Sequence, residues 1–287
     1  AAGGTINADA FPECMAERRH PKIFDELIVP FLSKDATSTI VLLELSLEAR
    51  NFFGREADLK RFHCLTSRYN LSPGSMHYLA ISNKPFQGGI GLSFALTKSG
   101  FFYEGERDKT HLDETYEEYE KSMFRVRSAN GTLIFATHLG LGNEAKLKQT
   151  QKIIEILTKV VPKDNVKCVL GGDFNCFDRD SAEPKYLEGV VDELASAFCH
   201  QTALLTSTFD NRHFPYDIEF RLSAEKRALI RAEVDAEKYR QLLLRELEHM
   251  DTKGLALDHI FTNFHQAKVS TFHAPHLSDH DAIIAEF

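Results

Sequence analysis

The chain contains 287 residues, of which 43% are hydrophobic and 26% are charged, a composition typical of a globular protein with a sizeable core. Its net charge of −8 argues against a broadly basic nucleic-acid-binding surface. Eight acidic and only two basic residues lie within 104–120, so the rest of the chain is close to neutral and leaves room for a local basic groove.

The five cysteines are scattered and form no Cys-x-x-Cys pair. This pattern predicts neither a disulfide framework nor a zinc site and favours the cytoplasm or another reducing compartment. The first residues show no basic segment followed by an apolar stretch, so no signal peptide is visible in this sequence, which begins with Ala1 and not with methionine. Secretion by a signal-peptide-independent route is the alternative to a reducing compartment. No apolar run is long enough to predict a transmembrane segment, and no feature predicts the oligomeric state.

Hydrophobic periodicity and turn residues predict alternating strands and helices in the first third of the chain. The predicted strands are residues 5–9, 37–45, 76–82 and 88–97. The predicted helices are residues 21–29 and 47–62. Pro21 suits a first helical turn, and Pro30 is expected to end the first helix.

The middle of the chain begins with the acidic segment 104–120, which we interpret as a solvated loop or short helix. A hairpin of residues 122–127 and 132–138 is predicted around Asn130-Gly131. A helix from Asn143 to about residue 161 follows, with Leu147, Ile154 and Leu157 inward and its lysines outward. The apolar run 166–170 then predicts a buried strand that ends in two glycines and carries Asp173 and Asn175 to the rim of a sheet.

The last third contains a predicted helix at 184–199 and strands at 255–262 and 282–287. Between them, residues 222–250 are rich in Ala, Leu, Glu, Arg and Lys and predict one long helix or a helical hairpin. We interpret this segment as a charged helical insertion at about 222–250, either a solvated addition or a lid that affects substrate choice. No linker or repeat is visible, so we expect one domain spanning 1–287.

Polar residues occur inside or at the ends of the apolar strands, where a buried charge is costly unless it is paired or bound to metal. They are Asn7, Asp9, Glu44, His138, Asp173, Asn175, Asp258, Asp279 and His280. Each has an ordinary alternative, such as a surface carboxylate, a hydrogen-bonded core histidine or a turn cap. Their recurrence at strand ends favours a shared site.

The residue types in this set indicate a reaction. The carboxylates and amide of Asn7, Asp9, Glu44 and Asp279 offer the hard oxygen ligands that favour Mg²⁺ or Mn²⁺ over zinc. His280, with Asp258 available to orient it, forms a carboxylate–imidazole pair. Asp173 can accept a proton from water, and Asn175 and His138 can donate to phosphate oxygens. Together these groups predict metal-assisted attack of water on phosphorus.

Seven short motifs occur in a fixed order along nearly the whole chain. They are Thr5-Ile6-Asn7-Ala8-Asp9, Leu43-Glu44, Gly88-Gly89-Ile90-Gly91-Leu92, Ala136-Thr137-His138-Leu139, Gly171-Gly172-Asp173-Phe174-Asn175, Leu257-Asp258-His259-Ile260-Phe261 and Ser278-Asp279-His280. In this order the chain resembles the endonuclease/exonuclease/phosphatase superfamily. The resemblance implies an α/β fold, a four-layer α-β-β-α sandwich of two mixed sheets with flanking helices (DNase I-like), and one or two Mg²⁺ ions.

The resemblance also implies roles for the individual residues. Glu44 and Asn7 would bind the metal, assisted by Asp9 and Asp279. Asp173 would activate the attacking water, Asn175 would position the phosphate and His138 would contact a phosphate oxygen. His280, held by Asp258, would stabilise the phosphoryl group in the transition state.

The resulting hypothesis is a Mg²⁺-dependent phosphoester hydrolase, a phosphodiesterase or nuclease-type enzyme acting on a nucleic acid, a nucleotide or a phospholipid head group. The alternatives are a phosphomonoesterase or a lipid or inositol phosphate hydrolase of the same superfamily. Leu257-Asp258-His259 lacks the Cys-Asp-Arg sequence usual in inositol 5-phosphatases, which argues against that branch. A non-catalytic binding scaffold is the competing class, and such a protein is expected to lack Glu44, Asp173 or His280.

Overall fold

The computed structural model describes most of the chain. The described residues are 10, 16–35, 37–66, 77–89, 91–96, 121–140, 143–161, 166–178, 185–186, 188–203, 208, 223–233, 235–248, 256–265, 267–273, 278 and 280–287. The predicted strand at 5–9, the acidic segment 104–120 and the side chains of Asn7, Asp9 and Asp279 lie outside these residues. Within them, no helix has the length and apolarity needed to span a membrane.

The N-terminal helical layer begins with α1 (Ala16–Lys22), which continues through a π-helical segment (Ile23–Ile28) into α2 (Val29–Lys34). The prediction that Pro30 ends this helix is wrong. Pro30 lies in the first turn of α2, a position at which proline is tolerated. After β1 (Thr39–Leu45), Ser46 caps the next helix, α3 (Leu47–Leu59), by accepting a hydrogen bond from the backbone N–H of Ala49.

The smaller sheet contains β1, β2 (His63–Thr66) and β3 (His77–Ser82) in the order β1-β3-β2, and both pairings are antiparallel. The four-residue strand β2 was not predicted, because it is too short to show an alternating pattern. The turn at residues 83–85 leads from β3 into β4 (Leu92–Ala95), but these strands belong to different sheets.

The remaining elements follow β4 along the chain. In chain order they are β5 (Ser122–Arg127), β6 (Leu133–His138), α4 (Asn143–Val160), β7 (Cys168–Asp173), β8 (Phe177–Asp178), β9 (Lys185–Tyr186), α5 (Glu188–Ala197), β10 (Cys199–His200), α6 (Ala224–Arg231), α7 (Ala236–Glu248), β11 (Asp258–Thr262), β12 (Lys268–Phe272) and β13 (Ala282–Glu286). The predicted hairpin of β5 and β6 is confirmed. Of the two alternatives for residues 222–250, one long helix or a helical hairpin, the structure has two helices, α6 and α7.

The larger sheet has the order β10-β11-β7-β6-β5-β4. It is mixed, because β6 and β7 run parallel while the other neighbours are antiparallel. Two further antiparallel pairs, β8 with β9 and β12 with β13, complete the described strands.

Three apolar clusters define the layers. Tyr78, Phe124 and Ala136 pack between the two sheets. One outer cluster joins the smaller sheet to the π-helical segment, α2 and α3, and the other joins the larger sheet to α4 and α5. Alternate strand residues face opposite sides, so each sheet buries both faces. The predicted four-layer α-β-β-α sandwich is confirmed.

Gly172 is required by the packing of β7 against β6. Its φ is 148°, and a Cβ at this position would lie 1.8 Å from the carbonyl oxygen of Thr137. We expect Gly172→Ala to lower the free energy of unfolding by more than about 3 kcal/mol, because backbone must move to relieve the clash. Gly171→Ala is the matched control, since its Cβ would meet Ile260 at an ordinary 3.5 Å. Urea unfolding of both variants tests this, and equal losses would contradict it.

Candidate active site

Three adjacent strands of the larger sheet place polar residues at the same end of the sheet. His138 ends β6 and lies opposite Asp173 at the end of β7. Asp258 begins the antiparallel strand β11 and lies opposite the same Asp173. Sheet register therefore explains why these three residues, which are far apart in sequence, meet.

Glu44 reaches the same place from the smaller sheet through an irregular strand. The pairing of β1 with β3 shifts between Leu42 and Leu45, so β1 contains one extra residue there. Glu44 has a φ of 55°, a left-handed conformation that is uncommon for residues other than glycine. Its side chain is 39% exposed. Strained backbone of this kind persists where the surroundings hold it, and it is common at functional sites.

Glu44, His138 and Asp173 form a cluster with the chemistry of a metal site. One ligand atom from each lies within 4.8 Å of the other two. The Glu44 carboxylate contacts His138 Nδ1, and His138 Nε2 lies 3.7 Å from Asp173 Oδ2. Two carboxylates this close together are favourably compensated by a cation, so the donor set fits a divalent metal ion.

Burial lowers the pKa of His138, although Asp173 partly opposes this effect. The ring is therefore neutral near pH 7. The side-chain nitrogen of Asn175 lies 2.8 Å from His138 Nε2. An amide N–H donates, so Nε2 accepts and the ring proton is on Nδ1, facing Glu44.

Asn175 orders the turn after β7. It has a φ of 47°, again left-handed. Its backbone N–H donates to Asp173 Oδ1 at 2.7 Å, and its side-chain amide donates to the carbonyl of Leu139 at 2.8 Å. One oxygen of Asp173 is thereby held in place, and the other, Oδ2, is turned toward the histidines.

His280 and Asp258 form the expected carboxylate–imidazole pair. His280 Nδ1 lies 2.8 Å from Asp258 Oδ2, and His280 Nε2 lies 4.0 Å from Asp173 Oδ2. Burial raises the pKa of Asp258, while the hydrogen bond from His280 opposes this rise. The carboxylate of Asp258 fixes the ring so that Nε2 faces Asp173.

Thr208 supports this pair and was not identified from the sequence. Its hydroxyl oxygen accepts the backbone N–H groups of Leu257 and Asp258, both at 3.0 Å, and the hydroxyl also bonds the Asp258 side chain. Its carbonyl accepts the N–H of Asp281 at 2.8 Å. One buried threonine thus joins the start of β11 to the segment that carries His280.

Replacing Thr208 by valine keeps the shape but removes the hydroxyl. We expect Thr208→Val to lower the free energy of unfolding by about 1–3 kcal/mol, because two buried N–H groups lose their acceptor. Thr208→Ser keeps the oxygen and should cost no more than about 1 kcal/mol. Urea unfolding compares them, and a loss in the serine variant equal to that in the valine variant would contradict the assignment.

His259, the residue after Asp258, lies behind the site. Its Nδ1 is 3.1 Å from His200 Nε2, and its ring meets Phe174 edge-on. Burial, followed by the nearby His200, lowers the pKa of His259 to about 4. His259 is a neutral, packed histidine, and we assign it no catalytic role.

The structure brings six of the nine predicted site residues together. These are Glu44, His138, Asp173, Asn175, Asp258 and His280. The other three, Asn7, Asp9 and Asp279, lie outside the described residues. Their assignment as metal ligands stays a prediction.

The predicted insertion contacts the N-terminal segment. Arg240 on α7 donates to the carbonyl of Ala10 at 2.9 Å, and Ala10 follows Asp9 directly in the sequence. A Lys226–Glu246 ion pair of 2.6 Å joins α6 to α7. The helical hairpin is therefore attached close in sequence to two of the predicted metal ligands.

No family model and no curated protein matches this sequence. Solved structures do match it over nearly its whole length. The mannosyl-6-phosphatase Bt3783 of Bacteroides thetaiotaomicron matches with a TM-score of 0.59 and 14% identity, covering 98% of this chain and 94% of that chain. An endonuclease/exonuclease/phosphatase family protein from Bacteroides thetaiotaomicron gives 0.58 and 15%, covering 98% and 92%. The human Nocturnin catalytic domain with bound sulfate gives 0.54 and 15%, covering 96% and 88%.

Proposed function

We propose that this chain, which has the fold of the endonuclease/exonuclease/phosphatase proteins, is a Mg²⁺- or Mn²⁺-dependent hydrolase of phosphoester bonds. The observation that supports this most is the meeting of Glu44, His138, Asp173 and the His280–Asp258 pair at one edge of the sandwich. A carboxylate metal ligand, a proton acceptor and an oriented imidazole are the groups that attack of water on phosphorus requires.

Glu44 is the proposed metal ligand among the described residues, and Asp173 lies within reach of the same ion. Both ring nitrogens of His138 are engaged, because Nδ1 carries the ring proton toward Glu44 and Nε2 accepts from Asn175. Asn7, Asp9 and Asp279 are assigned to the metal from the sequence, through their oxygen ligands and the resemblance. When bound, the ion would polarise a phosphoryl oxygen as a Lewis acid.

Asp173 is the proton acceptor for the attacking water. Its Oδ1 is held by the Asn175 N–H, which leaves Oδ2 as the oxygen able to accept a proton. Oδ2 lies 3.7 Å from His138 Nε2 and 4.0 Å from His280 Nε2, so a water bound to it would lie beside two imidazoles that can restrict its direction of attack.

His280 stabilises the negative charge that develops on the phosphoryl oxygens. Asp258 accepts the Nδ1 hydrogen at 2.8 Å, so the Nε2 side of the ring faces the reaction centre. Asn175 is proposed to act by orienting its neighbours. Its amide hydrogens already contact His138 and Leu139, so its main role is to orient the ring of His138 and not to bind phosphate directly.

We propose a phosphodiester as the first substrate class to test. A phosphomonoester is the second candidate, because one fold neighbour is named a mannosyl-6-phosphatase. A non-catalytic scaffold is disfavoured, because Glu44, Asp173 and His280 are all present and lie together.

A substrate panel tests the proposal. Bis(p-nitrophenyl) phosphate, p-nitrophenyl phosphate and a single-stranded oligonucleotide are each incubated with Mg²⁺, with Mn²⁺ and with EDTA. We expect metal-dependent hydrolysis that is faster on the diesters than on the monoester. A faster monoester reaction would favour the phosphomonoesterase. No hydrolysis of any substrate, or hydrolysis unaffected by EDTA, would contradict the proposed function.

A further inference from the structure

Lys146 on α4 is buried completely, although lysine is rarely buried without a partner. Its Nζ donates to the carbonyl oxygen of Asn175 at 2.5 Å. The other lysines of this helix behave differently: Lys148 pairs with Glu144 on the surface, and Lys152 and Lys159 pair with Glu155. The prediction that the lysines of α4 all face outward is therefore wrong for Lys146.

Gln149 lies about one turn further along the same helix and is also buried. Its side-chain oxygen accepts the backbone N–H of Gly140 at 2.8 Å. Residues three apart share one face of a helix, so Lys146 and Gln149 reach the two segments that follow β7 and β6 from the same side. These segments are also joined to each other, since the N–H of Leu139 donates to the carbonyl of Asp173 at 2.9 Å.

The direction of the Asn175 carbonyl depends on the left-handed conformation of that residue. With a φ of 47°, Asn175 turns its carbonyl toward α4, its N–H toward Asp173 and its side chain toward His138. Relaxation to an ordinary conformation would change all three directions at once. A buried ammonium forms a strong, charge-assisted hydrogen bond, and this bond opposes the relaxation.

We propose that Lys146 is a positioning residue that holds Asn175 in its left-handed conformation and thereby orients Asp173 and His138. The catalytic consequence rests on the proposed hydrolase function. The conformational consequence does not depend on it. Because Lys146 contacts the backbone carbonyl of Asn175 from the α4 side, it acts through that residue and not on the substrate.

Steady-state kinetics on the best phosphodiester test the catalytic consequence. We expect Lys146→Met to lower kcat by about 10- to 100-fold with KM within about twofold, because reacting groups are misplaced. Lys146→Arg keeps a charged donor and should recover most of the loss. Lys148→Met removes a surface lysine from the same helix and should leave kcat unchanged.

A double-mutant cycle with Asn175→Ala separates positioning from general damage. Asn175→Ala removes the side-chain contact with His138 and makes the left-handed backbone unfavourable, so Lys146→Met should then add less than about a twofold loss if Lys146 acts through Asn175. Equal losses in the two backgrounds, or equal effects of Lys146→Met and Lys148→Met, would overturn the proposal.

Nitrogen NMR of the same proteins gives a readout without substrate. The side-chain amide of Asn175 and the ring nitrogens of His138 should shift in Lys146→Met and not in Lys148→Met. If the wild type hydrolyses nothing, the proposed function fails and these resonances alone decide the inference, with unmoved signals overturning it. If Lys146→Met does not fold, Lys146→Gln takes its place under the same criteria.

Discussion

Alanine at Asp173 should lower kcat on a phosphodiester by about 10²- to 10³-fold, and alanine at His280 should do the same. Asp173 Oδ2 lies 4.0 Å from His280 Nε2, and His280 Nδ1 is in turn 2.8 Å from Asp258 Oδ2. Removing either side chain deletes a preorganised group on which proton transfer or charge stabilisation depends. Steady-state rates with saturating Mg²⁺ measure the effect.

The isosteric variant Asp173→Asn tests the proton-accepting role separately from the size of the side chain. An amide keeps the size of the side chain but cannot accept the proton from water, so its rate should resemble that of the alanine variant. Asp192→Asn, on the exposed side of α5, is the matched control and should retain the wild-type rate. A wild-type kcat for Asp173→Asn would contradict the proposal that Asp173 accepts the proton from the attacking water.

Removal of the metal should abolish activity altogether, and Glu44→Gln should raise the metal concentration needed for half-maximal rate by about tenfold or more. Glu44 is the carboxylate that the irregularity in β1 turns toward His138 and Asp173, and an amide is a much weaker ligand for Mg²⁺ or Mn²⁺. Activity is measured after EDTA treatment and during titration with each metal.

Glu48→Gln provides the control for this titration. Glu48 is an exposed carboxylate in the first turn of α3, four residues after Glu44, and it should leave the metal dependence unchanged. Activity that survives EDTA, or the same metal titration for Glu44→Gln and the wild type, would contradict a metal site at Glu44.

The strand ends could be predicted from the sequence because apolar runs there stop at residues that are costly to bury. Glu44, His138, Asp173 and Asp258 all show this pattern, and sheet register then brings the last three together. The bulge that turns Glu44 could not be predicted, because it depends on the alignment of β1 with a strand more than thirty residues away.

Two supporting residues show why the rest of the site was not visible in the sequence. Thr208 is one of several hydroxyl residues in its segment, and only the folded chain places it against Asp258. Lys146 follows the common pattern of lysines on an amphipathic helix, so its burial appears only when α4 packs against the turn at Asn175. Both residues act across the fold, where local patterns carry little information.

Incorporation of oxygen from solvent distinguishes attack of water on phosphorus from attack on carbon. The proposed hydrolysis of a phosphodiester in water enriched in heavy oxygen should place the label on the phosphorus-containing product, because water assisted by Asp173 attacks phosphorus. Mass spectrometry of the products measures this. Label on the alcohol product, or no turnover with either Mg²⁺ or Mn²⁺, would contradict metal-dependent attack of water on phosphorus at this site.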